Sequence, residues 1–122
     1  MERDMKRKKI LDIVRKHVTW WVKSTGLGYW DIKIQFGKDN PDSRTGDILV
    51  GEADVTWQYQ MATITFYPKS MKNMSEDEIE KVVVHELMHV FLHEMHEEGI
   101  DHEERVATML QKAFQWVKEA DK

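Results

Sequence analysis

The sequence contains no cysteine. Disulfides and thiolate metal sites are therefore excluded, and a reducing, cytoplasmic setting is expected. Proline occurs only twice, and no Pro-, Gly- or Ser-rich stretch, repeat or low-complexity linker divides the chain. Its 122 residues are expected to form one domain, residues 1–122, around one core. Long apolar runs are also missing, so no membrane span and no membrane partner is expected. The start is basic (Arg3, Lys6, Arg7, Lys8, Lys9), but the following ILDIVRKHV is broken by Asp12, Arg15 and Lys16. That pattern reads as a solvated first helical turn and not as an export signal. Neither charge dominates: 18 Lys and Arg stand against 22 Asp and Glu, giving a net charge of −4. Global attraction to nucleic acid is not expected.

What is present is the composition of a globular protein, and its patterning divides it into elements. Ile10, Ile13, Val14, His17, Val18 and Trp21 recur at helical spacing, which predicts a helix over ~4–24 that Gly26 terminates. Trp30, Ile32, Ile34 and Phe36 alternate with polar residues and predict a strand at ~30–36. A turn-rich loop, GKDNPDSRTGD, follows. A second strand is predicted at ~48–57, with Ala53, Val55 and Trp57 on one face and Glu52, Asp54 and Thr56 on the other. A third, at ~61–67, sets Ala62, Ile64 and Phe66 inward, and Pro68 ends it. Ser75 and Glu78 make a capping box that opens a helix over ~76–97, and a last helix spans ~102–119. The order α-β-β-β-α-α predicts an α+β fold, with a small three-stranded sheet, mixed or antiparallel, packed on helices.

The ~76–97 helix is apolar almost all round, yet His85, Glu86, His89, His93 and His96 form one stripe along it. At ~100° per residue the four histidines fall within roughly 80° of arc. Polar groups on a buried helix are costly unless they are paired or bind something. Within the stripe lies HELMH, the pattern H-E-x-x-H. Histidines at i and i+4 sit one above the other, so His85 and His89 can reach one metal. Glu86, rotated to the side, can take a proton from a metal-activated water. The chemistry predicted is hydrolysis by a Zn²⁺ centre with Glu86 as general base. A metzincin would need a glycine where Leu92 stands and a third histidine where Met95 stands, which disfavours that class.

A third ligand is expected from the last helix, which opens with Asp101, His102, Glu103 and Glu104. Its apolar residues Val106, Met109, Leu110, Ala113 and Val117 are expected to pack on the core. Counting back by three and seven places Glu103 on that side; counting back by four places His102 there; Glu104 falls on the far side. Glu103 and His102 remain alternatives on spacing alone.

With VVHELMHVFLH on one helix and HEERV opening the next, the chain resembles the minigluzincins and related small phage- and prophage-type metallopeptidases. The resemblance covers the element order of nearly the whole chain; only HELMH and the Glu103–Val106 stretch are specific. It implies a zincin-like catalytic core with zinc on His85, His89 and Glu103, Glu86 as base, and a peptide or protein substrate laid along the ~50–56 edge strand. It also leaves the oxyanion-stabilising residue open, with Tyr59, His93, His96 and His102 as candidates. Two neighbouring peptidase types stand behind this reading. One is a regulatory type that cleaves a repressor and often carries a fused DNA-binding helical domain. The other is an SprT-like, DNA-associated type that tends to carry further cysteine or basic modules. Neither addition is seen in this sequence. The alternative to a working peptidase is a zinc-binding regulatory or latent domain. The five tryptophans, Trp20, Trp21, Trp30, Trp57 and Trp116, read as packing residues and not as a ligand site.

Overall fold

The structure is a computed structural model that describes residues 2–38, 50–93 and 103–120. Helix α1 (Glu2–Ser24) leads into strand β1 (Asp31–Phe36). Strands β2 (Gly51–Thr56) and β3 (Met61–Phe66) follow, then helices α2 (Glu76–Phe91) and α3 (Glu103–Ala120). Among the described residues no helix is long and apolar enough to cross a membrane.

Helix α1 closes where the chain turns left-handed at Gly26, φ 80°, a conformation that costs a residue without Cβ little. The sheet has strand order β1-β3-β2. β1 runs parallel to the central β3, with Ile34 opposite Ile64; β2 runs antiparallel to it, with Ala53 opposite Ile64. The sheet is therefore mixed, and among the described residues β2 is an edge. Alternation sends Ile32, Ile34, Phe36, Ala53, Val55, Ala62, Ile64 and Phe66 to one face, which packs into the core. Glu52, Asp54 and Thr56 on β2, and Asp31, Lys33 and Gln35 on β1, face outward.

Helices α1 and α2 cover the apolar face. Ile10, Val14, Val18 and Trp21 of α1 meet Ile79, Val83, Val84, Leu87 and Met88 of α2 in one buried cluster. Each such aliphatic side chain contributes about 1.5–3 kcal/mol when withdrawn from water. The Ser75–Glu78 capping box forms as the sequence predicts, with Ser75 Oγ accepting from the Glu78 amide and the Glu78 carboxylate accepting from the Ser75 amide.

A polar tie joins α1, α2 and α3. Glu80 Oε2 accepts from Trp21 Nε1 at 2.8 Å and from Lys118 Nζ at 2.6 Å, with His17 Nδ1 at 3.3 Å. Burial alone would raise the Glu80 carboxyl, but the Lys118 and Trp21 hydrogen bonds and the nearby His17 outweigh it and hold the pKa below its ordinary value. Lys118 also lies over the Trp20 ring, 4.3 Å from its centroid. Trp21 and Trp30 pack with the core as expected, whereas Trp20 and Trp116 are exposed.

Helix α2 is continuous over Glu76–Phe91, Leu92 departs from it at φ −97°, ψ 9°, and His93 is helical again; the expected continuation over 94–97 lies outside the described residues. One expectation needs correction. The face that α3 turns inward is only partly the one that its apolar residues mark: Leu110 packs against the core as expected, but Met109 and Val117 do not. Ala107 and Gln111 are the buried residues of α3, while Met109 is 62% and Val117 58% exposed. A small residue at 107 lets α3 approach closely, and the Lys118–Glu80 ion pair holds its far end. Those contacts set the rotation of α3 about its axis. Residues 39–49, His96, Asp101, His102 and the side chain of Trp57 lie outside the described set.

Candidate metal centre and active-site cleft

Helix α2 is buried along Val83, Val84, Leu87 and Met88, and its remaining side carries His85, Glu86 and His89. Beside that side run the edge strand β2 and the first turn of α3. His85 and His89, one helical turn apart, bring their Nε2 atoms within 3.3 Å of each other. The Glu104 carboxylate spans both rings: Oε2 lies 3.0 Å from His85 Nε2, and Oε1 lies 3.0 Å from His89 Nε2. One atom from each of His85, His89 and Glu104 falls within 4.8 Å of the others.

These donors fit a small divalent cation. Ligands at about 2.0–2.1 Å in a tetrahedral arrangement stand about 3.3 Å apart, which is the spacing of the two ring nitrogens. Two imidazoles and a carboxylate are also the donor set of hydrolytic zinc sites. Glu103 is brought to the same cluster but meets the opposite edge of a ring: its Oε2 is 2.6 Å from His89 Nδ1. Glu103 Oε1 is the buried side-chain atom that has no hydrogen-bond partner among the described residues. Glu104 is thus turned toward the histidines and not away from them, as the apolar pattern of α3 had predicted.

Glu86 is buried beside the cluster. Burial, then the negative charges of Glu104 and Glu52, push its carboxyl up to about 8. It lines a cleft of about 280 Å³ together with Val50, Gly51, Lys81, Val82, His85 and Gln111. Gly51, the first residue of β2, comes so close that a Cβ there would sit 3.2 Å from Glu86 Cγ and 3.4 Å from Oε2. The neighbouring Glu52 is held by Tyr67, whose hydroxyl donates to Oε1 at 2.6 Å.

The sequence pattern of the SprT-like family matches residues 23–121, which span β1, β2, β3 and the whole H-E-x-x-H region. The chain belongs to the SprT-like family. This is a zincin-like metallopeptidase family with H-E-x-x-H, so the broad class that the motif predicts holds, with the SprT-like type taking first place over the phage-type one. No curated protein and no solved structure is similar enough to count as a match.

The structure brings together His85, Glu86, His89 and Glu103 of the residues expected from sequence. Tyr59 is exposed, in a turn between β2 and β3. His93 is half-buried just past the end of α2. Sequence reasoning set Glu104 on the wrong side of its helix and missed Gln111, Lys81 and Gly51. The signal that could have placed Glu104 and Gln111 is Ala107. A lone small residue marks a close helix contact, and Glu103, Glu104 and Gln111 stand four before, three before and four after it. Lys81 stands one turn before His85 on the same stripe.

Proposed function

We propose that this SprT-like protein is a zinc-dependent peptidase, with His85, His89 and Glu104 as ligands and Glu86 as general base. The observation that carries the reading is the meeting of the two Nε2 atoms and one carboxylate beside a buried glutamate at the wall of a cleft. A bound zinc supplies Lewis acidity to a water and to the scissile carbonyl. Glu86 accepts the proton of that water on its carboxylate and returns it to the leaving amine. Its burial leaves the carboxylate few competing water contacts, and a cation at the cluster offsets the charges of Glu104 and Glu52 that oppose its ionisation.

The substrate is a peptide segment lying along the open edge of β2. In the β2–β3 ladder the Tyr67 amide bonds the Val50 carbonyl, and Gly51 pairs with Phe66. Antiparallel alternation then points the backbone groups of Gly51, Ala53 and Val55 away from β3, where an extended peptide can pair with them. Gly51 places that edge against Glu86, so a peptide held there passes beside the base.

Elemental analysis of purified protein should find one zinc per chain, and none retained after dialysis of His85→Ala or His89→Ala. Glu86→Gln should keep zinc and lose hydrolysis of a quenched peptide by about 10² or more. Stoichiometric zinc without hydrolysis in the unaltered protein would instead support a regulatory or latent role.

A further inference from the structure

Two adjacent carboxylates on α3 reach the cluster, and they touch different atoms. Glu104 faces the two Nε2 atoms, whereas Glu103 meets Nδ1 of His89 at 2.6 Å. We propose that Glu103 is the positioning residue of this centre. It holds the Nδ1–H of His89 and so presents the unprotonated Nε2 to the metal, a role that rests on the metal-centre reading given above.

The argument begins with the ring. A neutral imidazole carries one N–H and one lone pair, and whichever nitrogen donates leaves the other free to ligate. An ionised carboxylate has no proton to give, so the short Glu103–His89 contact makes Nδ1 the donor. Nε2, on the far edge of the ring, faces His85 Nε2 at 3.3 Å and Glu104 Oε1 at 3.0 Å, and there its lone pair would go to a cation while Nδ1–H stays on Glu103. Glu103 and the ligating cluster thus meet opposite nitrogens of one imidazole, the arrangement by which an outer carboxylate fixes ring orientation and raises ligand basicity.

The burial of Glu103 supports the assignment. Its second oxygen, Oε1, is buried without a partner among the described residues, so the His89 N–H is what stabilises its charge there. A cation on Nε2 makes that N–H a stronger donor. Metal affinity and the Glu103 contact are therefore coupled, and each strengthens the other. Glu104 differs: its side chain is 77% exposed, and its two oxygens are shared between the rings. An exposed, movable carboxylate suits a ligand at an open site, and a buried one fixed on Nδ1 suits a support.

The test compares Glu103→Ala, Glu103→Gln and Glu104→Ala in the full chain. Zinc affinity is measured by competition with a chromophoric chelator, and the His89 tautomer by long-range ¹H–¹⁵N correlation, with far-UV circular dichroism to check the fold. The expected result is the Nδ1–H tautomer of His89 in the zinc-loaded unaltered protein. Zinc affinity should fall about 10- to 100-fold in Glu103→Ala. Glu103→Gln, whose amide oxygen still accepts from Nδ1–H, should recover part of the loss, and Glu104→Ala should lose more than either. Glu103→Ala with unchanged affinity and tautomer would overturn the role. So would equal losses in both Glu103 variants as large as in Glu104→Ala, which would make Glu103 a ligand. If the unaltered protein binds no zinc, the metal-centre reading itself fails and takes this role with it.

Discussion

Replacing Glu86 with glutamine should make the metal-free protein more stable, and by an amount that depends on pH. Burial, then the charges of Glu104 and Glu52, push the native carboxyl from an ordinary 4.5 up to about 8. Below pH 4.5 both the folded and unfolded chains hold the proton, and the group contributes nothing to the pH dependence. Between pH 4.5 and 8 the unfolded chain releases the proton while the folded one keeps it, so stability falls as pH rises. At about 1.4 kcal/mol per pH unit, the whole interval sets a ceiling of about 5 kcal/mol. Relaxation and water penetration reduce this, and a loss of about 2–3 kcal/mol by pH 8 is a reasonable working magnitude. Glutamine is neutral throughout and does not incur it. Urea unfolding followed by tryptophan fluorescence in a chelating buffer, at pH 4, 6 and 8, measures the difference. The Glu86→Gln variant and its parent should coincide at pH 4 and separate with rising pH. A separation that is constant with pH, or of opposite sign, would refute the claim that Glu86 is desolvated. Zinc should shrink the separation, because a cation favours the carboxylate, and its binding near pH 7 should release protons to the buffer.

Gly51→Ala should lower turnover by about tenfold while costing about 1–2 kcal/mol of stability, because its Cβ would press on Glu86 Cγ and Phe66 Cδ1; kcat and urea midpoints read the two effects separately, and an unchanged kcat would mean that Glu86 yields without losing its place. Ser75→Ala should cost about 1 kcal/mol through the lost capping box and leave zinc affinity intact. Ala53→Pro, whose amide points to the open edge of β2, should weaken peptide binding more than folding. Asp54→Pro should do the reverse by removing a bond to β3. Equal effects of the two prolines on peptide KM would place the substrate elsewhere.

The elements were legible because each had its own period. Alternation over Ile32, Ile34 and Phe36 and over Ala62, Ile64 and Phe66 gave the strands, and Ser75 with Glu78 gave the start of α2. His85, Glu86 and His89 were legible for a similar reason, since their geometry is local to one helix. The rotation of α3 was not. Its apolar residues outnumber those that it buries, and Met109, Trp116 and Val117 stay exposed. Its orientation comes from the close contact at Ala107 and the ion pair of Lys118 with Glu80, on a different helix. Pattern within α3 carries no record of those partners, and so the distinct positions of Glu103 and Glu104 appeared only in three dimensions. Gly51 was hidden likewise, because its approach to Glu86 depends on β2 lying at the edge next to α2.

A chain without cysteine has no covalent means of joining distant segments. Metal at the candidate centre would supply a reversible one. Metal held by His89 on α2 and Glu104 on α3 would close a loop of about 15 residues, and a cross-link of that span removes about 3 kcal/mol of unfolded-chain entropy. The centre proposed for the chemistry would then also be a strut, and the docking of α3 would tighten as free zinc rises. A cell that withdraws zinc would switch off hydrolysis and slacken the architecture in the same event.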